Sequence, residues 1–262
     1  MGRRRIPWIL WIPIGVALAF LVLPLVALVV RAPWTALGQV LGDAGVVQAL
    51  TLSLGTGLTA TVISTVLGVP LAIALARSRD WPAVPRRLLR ALVTVPLVLP
   101  PVVGGVALLL LLGRRGLLGQ FLPFGIPFTT GAVVIAQVFV SMPFLVLAVE
   151  GALSSADERY EVAAATLGAS RFTVFRRITL PLVAPGISAG AVLCFTRSLG
   201  EFGATITFAG SFPGVTQTLP ISTYLAMQSN PDTAIALSLV LMALSIVVLV
   251  LLRDRWVPGI TA

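Results

Sequence analysis

Two charged residues, Arg197 and Glu201, lie inside the apolar stretch CFTRSLGEFGATITFAG and are the clearest candidates for chemistry in this chain. Four positions apart, they share one face of a helix, and Thr205 continues that face. A charge in an apolar medium is costly, so such residues pair with each other or line an aqueous path. The spacing therefore predicts either a salt bridge that serves packing or a translocation path, and it leaves both open.

The residue types on which many enzymes and metal sites depend are missing. All 18 basic residues are Arg, there is no Lys or His, and Cys194 is the only cysteine. The chain therefore has no P-loop lysine, no ordinary zinc site and little from which to build a nucleophile and its base. We expect no catalytic residue, no metal and no cofactor bound by this chain.

The composition is typical of an integral membrane protein. Hydrophobic residues make up 58% of the 262 positions and charged residues only 10%, whereas a soluble domain carries roughly 25% charged residues. The net charge of +9 does not indicate a nucleic-acid partner, because most of the arginines lie in short gaps between apolar runs, where membrane topology explains them. The lipid bilayer is the expected partner of these runs.

Six stretches reach the about 20 mostly apolar residues that a membrane-crossing helix needs. The predicted spans are residues 7–30, 48–76, 88–112, 129–152, 182–208 and 233–252. The first could be a signal peptide, since Arg3, Arg4 and Arg5 precede it, but its apolar run exceeds the roughly 7–15 residues of a typical signal sequence. We expect it to be retained.

The arginines predict the orientation of these spans, because cytoplasmic loops of membrane proteins are enriched in basic residues. Fourteen arginines fall in segments on the side of the N-terminus and three, Arg31, Arg114 and Arg115, on the other. We therefore expect a multi-pass protein of the cell membrane, the inner membrane where there are two, with both termini cytoplasmic. Arg114 and Arg115, on an outer loop, either contact a substrate or a partner protein or are ordinary surface charges.

Prolines interrupt the third predicted span. Its segment TVPLVLPPVVGG contains Pro96, Pro100 and Pro101, and proline removes a backbone donor and kinks a helix. A kinked helix in lipid needs neighbours that satisfy the freed carbonyl groups. The pattern predicts a bent helix beside a pathway, with a bend of purely structural origin as the alternative.

The loop between the fourth and fifth spans, SSADERYEVAAATLGASRFTVFRRITLPLVAPG, predicts two short helices. Ser155 and Glu158 have the spacing of a capping box at the start of the first helix. Gly168 is a natural stop for that helix, and Pro181 closes the second. The pair is either a protein-docking element or a helix pair on the lipid surface, and periodicity does not decide between them.

The spacing of six residues in this loop resembles the EAA loop of ABC importer permeases. They are Ala163, Ala164, Gly168, Ile178, Leu180 and Pro181. In that family the loop forms coupling helices that sit in a groove of the ATP-hydrolysing subunit. The family often has Glu directly before the paired alanines, whereas this chain has Val162 there and Glu161 one place earlier.

Three further stretches, RSLGEFGATITFAG, TQTLPISTY and SLGTGLTATVISTVLGVPLAIALAR, are similar to permease subunits of molybdate importers and their sulfate-type relatives. The resemblance implies an all-α integral membrane protein with the type I ABC importer permease fold, about six transmembrane helices and cytoplasmic coupling helices. The permease domain would cover residues 48–252, after an N-terminal helix and external loop at 1–47 and before a cytoplasmic tail at 253–262.

The resemblance also implies the partners and the function. Two copies of the chain would join two ATPase subunits, which hold ATP and Mg, and an extracytoplasmic binding protein that delivers a tetrahedral oxyanion. The expected function is ATP-driven import of molybdate, with sulfate, thiosulfate or tungstate as alternative substrates. An ion-coupled secondary transporter would need no ATP and would show an inverted repeat, and no convincing repeat is visible in the sequence.

Overall fold

The computed structural model describes residues 7–78, 81–157 and 159–256, and within these ranges every long regular element is an α-helix. In chain order the helices are α1 (Trp11–Val30), α2 (Leu37–Gly42), α3 (Ala44–Arg77), α4 (Ala83–Val98), α5 (Pro101–Leu112), α6 (Thr130–Ser155), α7 (Arg159–Thr166), α8 (Arg171–Val174), α9 (Leu180–Leu199), α10 (Gly203–Ala209), α11 (Leu219–Ser229) and α12 (Pro231–Trp256). Among the positions discussed above, Arg3, Arg4, Arg5, Arg79, Glu158 and the last six residues of the expected tail lie outside the described ranges.

Five helical stretches in the described part of the chain are long and apolar enough to cross a membrane. A sixth is present if the bent pair α4 and α5 counts as one span. The stretches overlap the six expected spans. Helix α3 begins four residues before the predicted start at 48, because the Asp43 carboxylate caps it by accepting from Gly45 N–H and Val46 N–H. The prediction of an all-α membrane protein with about six spans is confirmed.

The third predicted span is broken rather than kinked. The α4 and α5 axes differ by 116°, and the break falls at Leu99 and Pro100, which both have extended backbone. Each of these residues precedes a proline, whose ring disfavours helical backbone in the residue before it. Pro96 lies inside α4, whereas Pro100 and Pro101 begin α5. The double proline thus ends one helix and starts another.

The fifth predicted span begins earlier and ends sooner than expected. One continuous helix runs from Arg171 to Leu199, because α8 joins α9 through a wide π turn at Phe175–Thr179. In this turn Leu180 N–H donates to the carbonyl of Phe175, five residues back. Pro181 follows directly and has no N–H to donate. The expectation that Pro181 closes a separate short helix is therefore wrong.

Helix α6 is the centre of the bundle and packs against α3 and α9. At one end, Val69 of α3, Leu145 and Val149 of α6, and Cys194 of α9 share a buried cluster. Further along, α6 packs with α5 and α10. Helix α1 buries none of its residues and is peripheral.

Gly105 allows helices α5 and α10 to approach each other closely. A Cβ on Gly105 of α5 would lie 2.8 Å from the carbonyl oxygen of Ala204 in α10, which is closer than real Cβ atoms approach an oxygen. The absence of a side chain therefore lets the backbones of α5 and α10 pack directly against each other.

Polar contacts identify the two ends of the bundle. One end, called the arginine-rich end below, holds Arg77, Arg90 and the loop that contains α7. At the opposite end the Thr130 hydroxyl donates to the carbonyl of Val215 at 2.9 Å, and Leu219 N–H donates to Ser53 Oγ at 2.7 Å. The second contact fixes the start of α11 against α3.

Candidate functional site

The loop between α6 and α9 starts differently from the sequence prediction. Helix α6 continues through Ser155, whose hydroxyl donates to the carbonyl of Gly151 at 3.0 Å, so Ser155 ends one helix instead of capping the next. The carboxylate of Asp157 accepts from Arg159 N–H at 3.0 Å where α7 begins. The expected cap partner Glu158 lies outside the described residues.

Gly168 ends α7 in the way that the sequence indicates. Its φ is +85°, in the left-handed region that glycine adopts without strain. Its N–H donates to the carbonyl of Ala165, and Ala169 N–H donates to that of Ala164, both at 3.0 Å. These two bonds form a Schellman motif. The loop therefore reverses direction at a position whose backbone favours glycine over any other residue.

The surface of the loop is apolar and exposed. Tyr160 and Val162 on α7, Leu167 beside the Gly168 turn and Phe172 on α8 are all exposed large side chains, and we call these four residues the loop patch. Of the positions that carry the family resemblance, Ala163, Gly168 and Pro181 are exposed, and Ala164, Ile178 and Leu180 are half-buried. A patch of this kind at the tip of a loop is typical of a protein-binding surface.

Glu161 does not belong to this exposed surface, since its carboxylate faces the bundle. Oε2 lies 3.2 Å from an Arg77 guanidinium nitrogen at the end of α3, and Oε1 accepts from the Thr179 hydroxyl at 2.5 Å. Thr179 lies in the π turn that leads into α9 and is buried. One carboxylate therefore fastens α7 to two transmembrane helices, and we call these three residues the Glu161 clamp.

A second ion pair at this end was missed in the sequence. Arg90 of α4 donates to the carboxylate of Glu150 near the end of α6, and the Glu150 side chain is only 12% exposed. An acidic residue inside a predicted span requires a cation nearby. That rule predicts a cation beside Glu150, but it does not identify Arg90 of α4 as the residue that supplies it.

The Arg197–Glu201 pair forms as the spacing predicts, but in a different backbone setting. Arg197 Nη1 lies 2.8 Å from Glu201 Oε2, with side chains 27% and 1% exposed. Helix α9 ends at Leu199 and α10 starts at Gly203, so Glu201 lies in the break between them. Its Oε1 accepts from Ala204 N–H at 2.8 Å and thereby caps α10.

Thr205 does not share a continuous helical face with this pair. It is the third residue of α10 and fully buried, and its hydroxyl has no hydrogen-bond partner among the described residues. The expected single face fails because the chain leaves the α9 axis at Gly200. Arg197 is thus the half-exposed member of the three candidates, and Glu201 and Thr205 face the protein interior.

A chain of small polar groups joins α6 to α9 beside this break, and single-residue reasoning missed it. The Gln137 side-chain amide donates to the carbonyl of Ser198 at 3.2 Å. The Ser198 hydroxyl donates to Ser141 Oγ at 2.9 Å, and Cys194 Sγ lies 3.2 Å from the same oxygen. All four residues are buried. They hold the C-terminal part of α9, and with it Arg197, against the central helix.

Comparisons with known proteins agree with this architecture. Residues 68–259 match the family described as binding-protein-dependent transport system inner membrane component. The chain is 49% identical to the molybdenum transport system permease protein ModB of Mycobacterium tuberculosis, over 92% of this chain and 91% of that protein. It is 43% identical to the protein of the same name from Escherichia coli, over 82% of this chain and 94% of that protein.

A solved structure shows the same fold at low sequence identity. A chain from the crystal structure of a bacterial ABC transporter involved in the import of the acidic polysaccharide alginate superimposes with a TM-score of 0.70 at 18% identity, over 97% of this chain and 96% of that chain. The fold is that of type I ABC importer permeases, as expected. With a family match over most of its length, the chain belongs to the inner membrane components of binding-protein-dependent transport systems.

Proposed function

We propose that this chain is the permease subunit of an ATP-driven importer of molybdate. The assignment of molybdate as the substrate rests on the 49% identity to a molybdenum transport permease across nine-tenths of both chains. The chain is then the translocation subunit and not an enzyme, because it lacks the lysine that a phosphate-binding loop needs. ATP and Mg belong to a separate ATPase subunit, and this chain binds no cofactor of its own.

The loop at residues 154–181 is the docking site for that ATPase. Its tip presents the loop patch, which offers apolar area to a groove in a partner. The patch and the two-bond turn at Gly168 favour protein docking over a helix pair lying on lipid, because the turn fixes one backbone shape. The arginine-rich end then faces the cytoplasm, in agreement with the distribution of arginines.

The Glu161 clamp is the connection through which movement of the loop reaches the membrane. The carboxylate of Glu161 contacts Arg77 of α3 and Thr179 of the π turn, so it ties α7 to the bundle. A displacement of α7 would therefore pull on α3 and α9 together. ATP binding would bias the spans between outward-facing and inward-facing arrangements by this route.

The translocation path lies between two copies of the chain. Within one copy the polar groups around the α9–α10 break are buried, and Arg197 is the half-exposed charge there. Its charge is already compensated by Glu201, so a dianion would meet no tight site at this point. Substrate choice then rests mainly with an extracytoplasmic binding protein, and the permease offers polar groups along the way.

Uptake of labelled molybdate tests the substrate. Cells that produce this chain together with the ATPase subunit and the binding protein of a molybdate importer should accumulate the label, and excess unlabelled molybdate should suppress uptake far more than equal sulfate. Omission of the ATPase should abolish it. Suppression by sulfate at the same or lower concentration would overturn the molybdate assignment and favour a sulfate permease, and uptake without the ATPase would favour an ion-coupled transporter.

A further inference from the structure

Helix α4 has an apolar side that no other part of the described chain covers. Its apolar residues at helical spacing are between 51% and 85% exposed. They are Val84, Leu88, Leu92, Val95 and Val98. On the other side of the helix, Val93 is buried against α3 and α6. With a bend of 116° between its axis and that of α5, α4 has the properties of a helix at the membrane surface.

Two arginines of α4 lie on the flank between these two sides. At 3.6 residues per turn, Arg87 and Arg90 fall between the exposed apolar stripe and the face that carries Val93. Trp81, 46% exposed, stands directly before the helix, and tryptophan is enriched where a membrane meets water. This flank therefore lies at the depth of lipid headgroups, with the apolar stripe beside the acyl chains.

A cavity of about 400 Å³ opens on this flank at the arginine-rich end. It is lined by Leu75 and Ser78 of the α3 end, Arg86, Arg87 and Arg90 of α4, and Glu150 and Ser154 of α6. These walls carry three guanidinium groups and one carboxylate. Glu150 pairs with Arg90, whereas Arg87 is exposed and has no ion pair within the described ranges.

We propose that this cavity binds the phosphate group of an anionic phospholipid. Guanidinium groups bind phosphate oxygens through two parallel hydrogen bonds, and the exposed hydroxyl of Ser154 adds a further donor at the cavity wall, whereas the Ser78 hydroxyl donates to the carbonyl of Leu75. The apolar stripe of α4 lies next to the cavity and accommodates the acyl chains, which a free oxyanion does not need. None of these residues belongs to the loop patch, the Glu161 clamp or the Arg197 pair, so the site is independent of the proposed function.

Native mass spectrometry of the detergent-solubilised full chain tests the proposal. Phosphatidylglycerol, added in graded amounts, should be retained on the protein in preference to phosphatidylcholine. Arg87→Gln should weaken that retention about fivefold, the effect of one basic residue near an anionic membrane surface. Arg87→Lys should restore it in part, because the charge returns without the planar fork. The matched control is Arg115→Gln, on a loop far from the cavity, which should retain lipid like the wild type.

Three results would overturn the proposal. Equal retention of the two lipids by the wild type would show that the cavity does not select a lipid by its headgroup charge. This comparison uses only the wild-type protein, so it does not depend on the folding of a variant. Equal retention by Arg87→Gln and Arg115→Gln would place the lipid elsewhere. Displacement of bound phosphatidylglycerol by millimolar inorganic phosphate would show that the occupant is a free oxyanion and that the acyl chains contribute nothing.

Discussion

Gly168→Val is expected to weaken binding of the ATPase subunit while leaving the membrane-embedded part of the protein intact. The φ of +85° at Gly168 lies in the left-handed region, where a residue with a Cβ loses roughly 1–2 kcal/mol relative to ordinary backbone. A Cβ at this position would meet no atom within 4 Å. The whole cost therefore falls on the turn and none of it on packing.

The consequence for docking follows from the population of the correct turn. A cost of about 1–2 kcal/mol lowers that population about 5- to 30-fold relative to alternatives. The apparent affinity of a partner that binds only the native turn scales with the fraction of molecules in that turn, so it falls by at most the same factor. We therefore expect the dissociation constant for the ATPase subunit, titrated against the permease in nanodiscs, to rise by up to about 30-fold, with unchanged thermal unfolding of the permease.

Two variants control this measurement. Gly168→Asn should behave much closer to the wild type, because asparagine enters the left-handed region more readily than other residues. Gly151→Val places the same side chain on α6 at another glycine with nothing within 4 Å of the added Cβ, but in ordinary helical backbone. Unchanged ATPase affinity in Gly168→Val would refute the reasoning, and equal damage from Gly151→Val would attribute the loss to valine itself.

Two further substitutions test the clamp and the buried pair. Glu161→Ala removes contacts to Arg77 and Thr179 and should lower the local stability of α7 by about 1–3 kcal/mol. The loss should be measurable as faster amide hydrogen exchange in α7. The control Arg159→Ala, which removes a 92% exposed side chain, should change the exchange little. Arg197→Gln leaves Glu201 buried without a cation and should lower the free energy of unfolding by about 3 kcal/mol. The double variant with Glu201→Gln should recover most of that loss in a thermal unfolding assay.

Each of these two predictions has a distinct contrary result. Unaltered exchange in α7 of the Glu161→Ala protein would mean that the loop is held by its apolar contacts alone. For the buried pair, a stable Arg197→Gln protein would mean that Glu201 finds another donor or a proton. If the double variant is stable but no longer transports molybdate, the pair serves the path, and if it transports normally, the pair serves packing.

The span pattern was predictable from the sequence because it depends on a sum over many residues. About 20 apolar positions in succession decide a span whatever their order, so single errors do not matter. The end of α7 was predictable for the opposite reason. One residue, Gly168, carries a strong and specific backbone preference, and the structure places it at the turn as expected.

The helix breaks were not predictable because they depend on competition between local and tertiary terms. Pro96 and Pro181 both lie within continuous helix, whereas Pro100 and Pro101 end one. A single proline costs one hydrogen bond, which a π turn or a neighbouring group compensates, but two successive prolines force two extended residues. The break at Gly200 has no such local cause, and it is stabilised by the cap that Glu201 supplies to α10.

The contacts of the candidate site were the least predictable part. Glu161 and Arg77 are 84 positions apart, and Glu150 and Arg90 are 60 apart. Charge counting says that such acidic residues need partners, but only the packing of α3, α4 and α6 decides which arginine is within reach. The sequence thus predicted which groups require compensation, and the tertiary structure selects the groups that supply it.

The π turn at Phe175–Thr179 has a mechanical consequence. By keeping Arg171–Leu199 one helix of 29 residues, it makes a rod about 43 Å long at 1.5 Å per residue. The loop patch adjoins one end of this rod, and Arg197 lies at the other. A tilt of about 5° around its midpoint would move both ends by about 2 Å in opposite directions. A tilt imposed at the loop end would thus reach Arg197 with equal size and reversed sign.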